Sequence, residues 1–269
     1  MEIRSFSVEV EGNRLAGEIN LPTQVAAPYP VVVICHGIPS GRPAENDPGY
    51  RPLAKRLAAA GFLSVIFNFR GCGESGGNID LAGWCRDLRA ILDMLYTRHD
   101  TDKSRMSLMG FSGGAAVSCV VAANDRRVSA VALMACPAEF SFLFKEEELT
   151  EMIARAREIG SIRDPGFPGD PQAWLAGMYA VRAEEAIGLL SPRPVLIVHG
   201  TDDEVVPVEH ARRLYARAGD PREFVLLDKT HHRLRQVPEA LQAAEDWLCR
   251  INDKSEKERE SDVKNRPER

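Results

Sequence analysis

The sequence predicts an α/β fold, with a mostly parallel eight-stranded sheet, helices on both of its faces and a helical lid insertion. Three observations lead to this prediction. Short runs of β-favouring residues alternate with longer segments whose apolar residues have helical spacing, as in βαβ units. Several of the short runs are apolar throughout, which suits strands that are covered on both faces. The 269 residues, 44% of them hydrophobic, are enough to bury one large core.

The strands are predicted from local composition. Residues 6–10 and 15–21 flank a Glu-Gly-Asn turn signal, so we expect them to pair as an antiparallel hairpin at the start of the sheet. The other six strands are predicted at apolar runs of strand length, which are residues 31–35, 62–69, 106–109, 128–135, 194–199 and 223–227.

The helices are predicted where apolar residues recur three or four positions apart between turn residues. Such segments are residues 50–60, 80–98 and 238–250, together with a helix of small residues after position 112 and a helix that begins near Val208. Residues 252–269 are almost all charged or polar, which predicts a disordered tail.

Residues 137–192 interrupt the alternation of strands and helices. They contain two helical stretches, 142–159 and 171–190, separated by a segment rich in glycine and proline. Because this insertion is too long for a simple crossover, we expect a lid over the carboxyl ends of the strands. The alternative is a helical excursion packed beside the sheet. On either side of this insertion, residues 1–136 and 193–251 are predicted to form the two parts of the α/β core.

Composition excludes several classes of function. The net charge of −5 and the isoelectric point near 5.8 do not provide the basic field that nucleic-acid binding uses. The start of the chain lacks a leader pattern and no apolar run is long enough for a membrane span, so we expect a cytoplasmic protein.

The six cysteines include no C-x-x-C pair and are expected to be small buried residues. No H-x-x-x-H or H-E-x-x-H pattern is present, so neither a metal nor a cofactor is predicted.

A Gly-Phe-Ser-Gly-Gly segment at residues 110–114 lies between an apolar strand and a helix of small residues. Such a tight bend strains the residue at its centre and exposes its side chain, which makes Ser112 a candidate nucleophile. Gly110 and Gly114 lie where strand and helix are closest, and the N–H of Gly113 is directed to where an oxyanion would form. A second copy of the pattern at residues 73–77 has no helix after it and is interpreted as a flexible loop.

A nucleophilic serine needs an imidazole base and a carboxylate that orients the base. Asp202 and Asp203 follow one late strand, and His231 and His232 follow the next. Either aspartate could instead cap the helix near Val208, and either histidine could be a solvated neighbour of the base. The remaining two strand-end histidines, His36 and His199, are expected to be structural hydrogen-bonding residues.

In these motifs the chain resembles the α/β-hydrolase fold family, and within it the small serine esterase branch. The resemblance covers nearly the whole chain apart from the charged tail. It implies that the triad carboxylate is Asp203, two residues before the Val-Val-Pro segment, and that the base is His232, which precedes an arginine. The His-Gly pair at residues 36–37 resembles the family's oxyanion turn, which implies N–H donors on Ile38 and Gly113. The Arg-Gly-x-Gly-x-Ser segment at residues 70–75 is a further match.

The function implied by the resemblance is hydrolysis of a small-molecule carboxylic ester through an acyl-enzyme, without a cofactor. Thioester or amide cleavage by the same triad is an alternative, because the nucleophile does not distinguish the leaving groups. An aspartate-nucleophile dehalogenase or epoxide hydrolase is disfavoured because Ser112 occupies the bend. A non-catalytic binding protein on the same fold is the non-enzymatic alternative.

Overall fold

The computed structural model describes residues 2–41 and 46–264, with side chains as far as residue 253. Its strands form one sheet in the order β1-β2-β4-β3-β5-β6-β7-β8. The pairs β1–β2 and β2–β4 are antiparallel and the other pairs are parallel, which confirms the predicted class, strand number and hairpin. The strands are β1 (Glu2–Val10), β2 (Asn13–Leu21), β3 (Tyr29–Cys35), β4 (Leu63–Phe67), β5 (Thr101–Phe111), β6 (Val128–Met134), β7 (Val195–Gly200) and β8 (Arg222–Leu227).

Helices follow the strands as the sequence pattern indicates. They are α1 (Arg51–Ala59), α2 (Leu81–Thr97), α3 (Gly113–Asn124), α4 (Leu149–Ile159), α5 (Pro171–Tyr179), α6 (Ala183–Ala186), α7 (Val208–Arg217) and α8 (Pro238–Lys264). Short 3₁₀ turns occupy Glu146–Glu148, Ile187–Leu190 and Leu234–Gln236. None of the described helices combines the length and the apolar content that a membrane crossing requires.

The sheet has an apolar core on each face, because successive side chains of a buried strand point to opposite sides. Val32 and Ile34 of β3 face the side covered by α1 and α8, where Trp247 is buried. Val31 and Val33 face the side covered by α2, α3 and α7. Five of the six cysteines are buried as predicted, and Cys249 is half-buried.

The insertion contains helices and no strand, as predicted for residues 137–192. Its first helical stretch begins later than predicted, because residues 140–144 form a turn in which the N–H groups of Leu143 and Phe144 donate to the carbonyl oxygen of Phe140. Helices α5 and α6 pack against α2 and α3 beside the sheet. The indole N–H of Trp174 donates to the carbonyl oxygen of Ile79.

The closing helix is longer than the prediction. α8 continues to Lys264, so residues 252–264, predicted to be disordered, are helical in the structure. Lysine, glutamate and arginine are good helix formers, and a helix that is already nucleated can extend through them. The last five residues of the predicted tail, 265–269, lie outside the described residues.

The loop at residues 73–77, which the sequence predicts to be flexible, is held by buried contacts, so that prediction is wrong. Ser75 is fully buried, and its Oγ donates to the carbonyl oxygen of Asn68 and accepts the N–H of Ala16. The guanidinium of Arg70 donates through Nε and Nη2 to Oδ1 of the buried Asp87. Sequence reasoning missed the contacts with Ala16 and Asp87 because these partners lie 59 and 17 residues away in the chain.

Candidate active site

Ser112 occupies the turn between β5 and α3. Its backbone has φ 50° and ψ −123°, a strained conformation that side-chain-bearing residues rarely adopt. The N–H of Ser112 donates to the carbonyl oxygen of Met134, which fixes the turn to the neighbouring strand. The side chain is partly exposed at the carboxyl edge of the sheet, as the sequence predicts for this bend.

Two glycines allow the strand and the helix to approach each other at this turn. A Cβ on Gly110 would lie 2.4 Å from Cα of Ala115, and a Cβ on Gly114 would lie 2.2 Å from the carbonyl oxygen of His36. Both contacts are far inside van der Waals distance. This confirms the prediction that a Cβ at either position would keep the strand and the helix apart.

Ser112, His232 and Asp203 form a continuous chain of hydrogen bonds. Nε2 of His232 lies 2.9 Å from Oγ of Ser112, and Nδ1 lies 2.8 Å from Oδ2 and 2.9 Å from Oδ1 of Asp203. A carboxylate only accepts, so Nδ1 carries the proton and Nε2 is free to accept the proton of the hydroxyl. This arrangement can remove a proton from Ser112 and stabilise the imidazolium that results.

The structure separates the two histidines and the two aspartates between which the sequence alone did not decide. The imidazole of His231 is 73% exposed and contacts Glu204 and the backbone carbonyl of Asp202. The carboxylate of Asp202 accepts the hydroxyl of the adjacent Thr201. Neither aspartate caps α7, whose N-cap residue is a proline without a side-chain hydrogen bond. Among the described residues, it is His232 and Asp203 that join Ser112.

The Asp203 carboxylate is buried but remains charged. Burial alone would raise its pKa, yet hydrogen bonds from His199, from His232 and from the backbone N–H of Val206 hold the pKa well below its usual range. Oδ1 also accepts the N–H of Val205, at 2.9 Å. The negative charge of Asp203 lies 2.8 Å from Nδ1 of His232.

A second set of contacts shapes the turn after β3. The backbone N–H of Phe69 donates to Nε2 of His36, at 3.0 Å. Because a backbone nitrogen can only donate, the proton of this imidazole is on Nδ1, which donates to the carbonyl oxygen of Gly37 at 2.8 Å. Burial lowers the pKa of His36 to about 4, so the ring is neutral near pH 7.

The Gly37–Ile38 segment lies directly beside the serine. A Cβ on Gly37 would be 3.0 Å from Cβ of Ser112, and the nitrogen of Ile38 is 3.6 Å from the place of a Cβ on Gly113. The backbone nitrogen of Ile38 therefore lies close to Gly113, and both residues carry a backbone N–H group near Ser112. Two such donors can stabilise negative charge on an oxygen bound there.

Sequence reasoning missed Glu204, whose carboxylate accepts the backbone N–H of His232 at 3.3 Å. Its only sequence signal is its position next to Asp203. Sequence reasoning also left open which ring nitrogen of each histidine is protonated, because the protonated nitrogen depends on hydrogen-bond partners from other loops. The described residues contain no group of three or more histidine, cysteine, aspartate or glutamate side chains arranged to hold a metal.

Known proteins resemble the chain in sequence as well as in fold. A family model described as alpha/beta hydrolase fold matches residues 30–153. The uncharacterized protein YfhR of Escherichia coli (strain K12) is 27% identical over 224 residues, which are 82% of this chain and 70% of that protein. The monoacylglycerol lipase of Mycolicibacterium smegmatis is 27% identical over 245 residues, which are 79% of this chain and 84% of the lipase.

A solved structure supports the same assignment. The alpha-beta serine hydrolase homologue from Coxiella burnetii superposes with a TM-score of 0.60 at 26% sequence identity, over 92% of this chain and 96% of the other. The sheet order, the helices on both faces and the sequence match over residues 30–153 agree on one architecture. The chain has the α/β-hydrolase fold.

Proposed function

We propose that the chain is a serine hydrolase that cleaves a carboxylic ester through an acyl-enzyme intermediate. The observation that carries this proposal is the unbroken line of hydrogen bonds from Ser112 through His232 to Asp203. Three residues that are far apart in the sequence meet there in the order that acyl transfer needs. The similarity to proteins named as a lipase and as a serine hydrolase homologue supports hydrolase activity in general.

In the first half of the reaction, Nε2 of His232 takes the proton of Ser112 while Oγ attacks the ester carbonyl carbon. The carbonyl oxygen becomes an oxyanion, which accepts hydrogen bonds from the N–H groups of Ile38 and Gly113. The tetrahedral intermediate then expels the alcohol, which receives its proton from His232. Asp203 holds the ring in the required tautomer and stabilises its positive charge.

In the second half, His232 takes a proton from water, and the resulting hydroxide attacks the acyl carbon. The C–O bond to Ser112 breaks, and the proton returns to the serine, which releases the carboxylic acid. The loss of one oxyanion donor costs about 3 kcal/mol of barrier in enzymes of this kind. The turn at Gly37 and Ile38 must therefore hold the N–H donor of Ile38 in place as accurately as the triad residues are held.

We further propose that residues 137–192 form a lid over the site. Two contacts between this segment and the loops at the carboxyl edge support the proposal. Arg155 of α4 donates to the carbonyl oxygen of Ser40, two residues after Ile38. Arg163 donates to the carbonyl oxygens of Gly73 and Ser75. The packing of α5 and α6 beside α2 and α3 gives the lid a fixed base.

The proposed function is tested with a fluorophosphonate probe and a short-chain chromogenic ester. We expect the wild type to be labelled on the peptide that contains Ser112 and to hydrolyse the ester, and Ser112→Ala to lose nearly all turnover. Ser5→Ala on the exposed part of β1 is the matched control and should retain full activity. A wild type that is not labelled, or an active Ser112→Ala variant, would contradict the proposal.

The class of acyl bond is decided by a panel of ester, thioester and amide substrates with the same acyl group. The ratio kcat/KM for each compound reports its transition-state stabilisation directly. We expect the ester to have the highest ratio. A thioester or amide preferred by more than about tenfold, corresponding to about 1.4 kcal/mol, would transfer the assignment to that class.

A further inference from the structure

His199, at the end of β7, is a buried imidazole that takes no part in the reaction described above. Its Nε2 lies 2.8 Å from the carbonyl oxygen of Val206 and 3.3 Å from Oδ2 of Asp203. The carbonyl oxygen can only accept, so the proton of His199 is on Nε2. Nδ1 is buried and has no hydrogen-bond partner among the described residues.

The two oxygens of the Asp203 carboxylate have different surroundings. Oδ1 accepts the backbone N–H groups of Val205 and Val206, at 2.9 and 2.8 Å. Nδ1 of His232 lies near both oxygens, 2.9 Å from Oδ1 and 2.8 Å from Oδ2, whereas Nε2 of His199 lies 3.3 Å from Oδ2. The backbone therefore fixes one oxygen of this carboxylate, and His199 lies against the other.

We propose that His199 is a positioning residue, which holds Oδ2 of Asp203 toward Nδ1 of His232 and so sets how strongly the base is stabilised when it is protonated. This inference rests on the proposed function. It assigns to His199 a role beyond its hydrogen bond to the carbonyl oxygen of Val206.

The physical consequence concerns the imidazolium of His232. Without the N–H of His199, Oδ2 loses one of its two imidazole contacts, and rotation of the carboxylate about its Cβ–Cγ bond is less restrained. The interaction with Nδ1 of His232 then weakens, so the protonated ring is less stable and its pKa falls. The other ionisable groups near these two rings are Glu204, the exposed His231 and the buried His210, and substitution of His199 leaves each of them in place.

Two variants separate the hydrogen bond from the bulk of the ring. In His199→Gln the amide nitrogen is three bonds from Cβ, as Nε2 is in histidine, so an N–H donor is kept. His199→Leu has an apolar side chain of branched shape and no donor. The control is His210→Leu, which removes another buried imidazole, one whose Nδ1 accepts the N–H of Ala138. The pKa of His232 is measured by NMR titration of its ring, and turnover of the chromogenic ester is measured across pH.

For His199→Leu we expect kcat to fall about ten- to hundredfold with KM within about twofold, because the lost interaction belongs to the transition state. The ring of His232 and the acid limb of kcat/KM should both titrate at a lower pH than in the wild type. His199→Gln should recover most of the shift, and His210→Leu should leave the titration of His232 unchanged.

A folded His199→Leu variant with an unchanged His232 titration would overturn the inference, as would a glutamine variant no better than leucine. If His199→Leu does not fold, His199→Asn replaces it, because its shorter amide cannot reach Asp203. Gln and Asn variants that both titrate like the wild type would again overturn it. The NMR titration does not depend on turnover. If the wild type is labelled by the probe but the His232 titration is unchanged in His199→Leu, only this inference is contradicted. An unlabelled wild type sinks the proposed function instead.

Discussion

The Nδ1–H of His36 donates to the carbonyl oxygen of Gly37 across 2.8 Å. In a planar trans peptide the carbonyl oxygen and the following N–H point in opposite directions, so this bond turns the N–H of Ile38 away from the imidazole. The N–H of Phe69 fixes the other nitrogen of the same ring. The orientation of the proposed oxyanion turn therefore depends on a neutral His36.

The first prediction concerns the pH dependence of stability. The folded-state pKa of His36 is lowered from 6.5 to about 4 by burial, so between these values the unfolded chain binds more protons than the folded one. The contribution of this group is fully present above pH 6.5 and is lost as the pH falls toward 4. It amounts to about 3 kcal/mol.

Urea unfolding of the wild type and of His36→Gln at several pH values checks this prediction. We expect the free energy of unfolding of the wild type to fall more steeply between pH 6.5 and 4 than that of the variant. Equal slopes in the two proteins would contradict it. The variant should also lose kcat, since the Gly37–Ile38 peptide is then less firmly oriented.

The second prediction concerns Asp203→Asn. We expect kcat to fall about 10⁴-fold, because an amide at this position no longer favours the Nδ1–H tautomer of His232 or its cation. Single-turnover acylation at pH 7 measures the effect, and Asp202→Asn is the matched control with activity close to that of the wild type. Comparable losses in the two variants would contradict the assignment of Asp203.

The same substitution has a predicted effect on stability. The pKa of Asp203 is depressed in the folded state, so its contribution is present above the unfolded value of about 4 and is lost as the pH falls further. The deficit of Asp203→Asn relative to the wild type should therefore be largest near neutral pH and shrink in acid. A deficit that grows as the pH falls would have the wrong sign.

The third prediction concerns the close approach of strand and helix at the serine. Gly114→Ala would place Cβ 2.2 Å from the carbonyl oxygen of His36 and 2.6 Å from that of Cys35. Because both are backbone atoms, we expect a loss of about 3 kcal/mol in the free energy of unfolding. Gly169→Ala, which meets nothing within 4 Å, should change stability little. Thermal denaturation of the two variants measures the difference.

Gly113→Ala should behave differently from Gly114→Ala. Its Cβ would lie 2.7 and 2.9 Å from side-chain atoms of Ile38, which can move. We therefore expect a smaller loss of stability and a larger loss of kcat, since Ile38 carries a proposed oxyanion donor. Equal effects of the two substitutions on stability would contradict this steric distinction.

The fourth prediction concerns the attachment of the proposed lid. Arg163 donates from Nη1 to the carbonyl oxygen of Ser75 at 2.5 Å and from Nη2 to that of Gly73 at 3.0 Å. Each hydrogen bond from a charged donor contributes about 1.5–3 kcal/mol. Arg163→Ala should therefore increase amide hydrogen exchange and proteolytic cleavage at residues 161–170.

The control for the lid is Arg212→Ala, which removes an exposed arginine whose partner is Glu209 on the same helix. It should leave exchange in residues 161–170 unchanged. If residues 161–170 show the same amide hydrogen exchange in Arg163→Ala as in the wild type, other contacts hold this segment, and the prediction that Arg163 attaches it is wrong.

Much of the fold could be predicted from local patterns. Each buried strand is a short apolar run, and residues 31–35 are recognisable because their side chains are covered on both faces. The bend at Ser112 was also predictable, since only glycine fits at Gly110 and Gly114. Helix ends were less certain: α8 extends to Lys264 because charged helix formers can continue a helix that the core has nucleated.

The sequence by itself determined the α/β class, the bend at Ser112 and the small set of residues from which the site is assembled. The tertiary structure decided which members of that set meet. Asp203 and His232 are each adjacent to a residue of the same type, and local sequence gives both neighbours the same chemistry. The difference arises because β7 and β8, which follow β6 in the sheet, end at the same edge as β5. Their loops direct one side chain of each pair inward, where burial and hydrogen bonds from distant loops fix its charge and tautomer. Such partners are set by the packing of strands far apart in the chain, which no local pattern records.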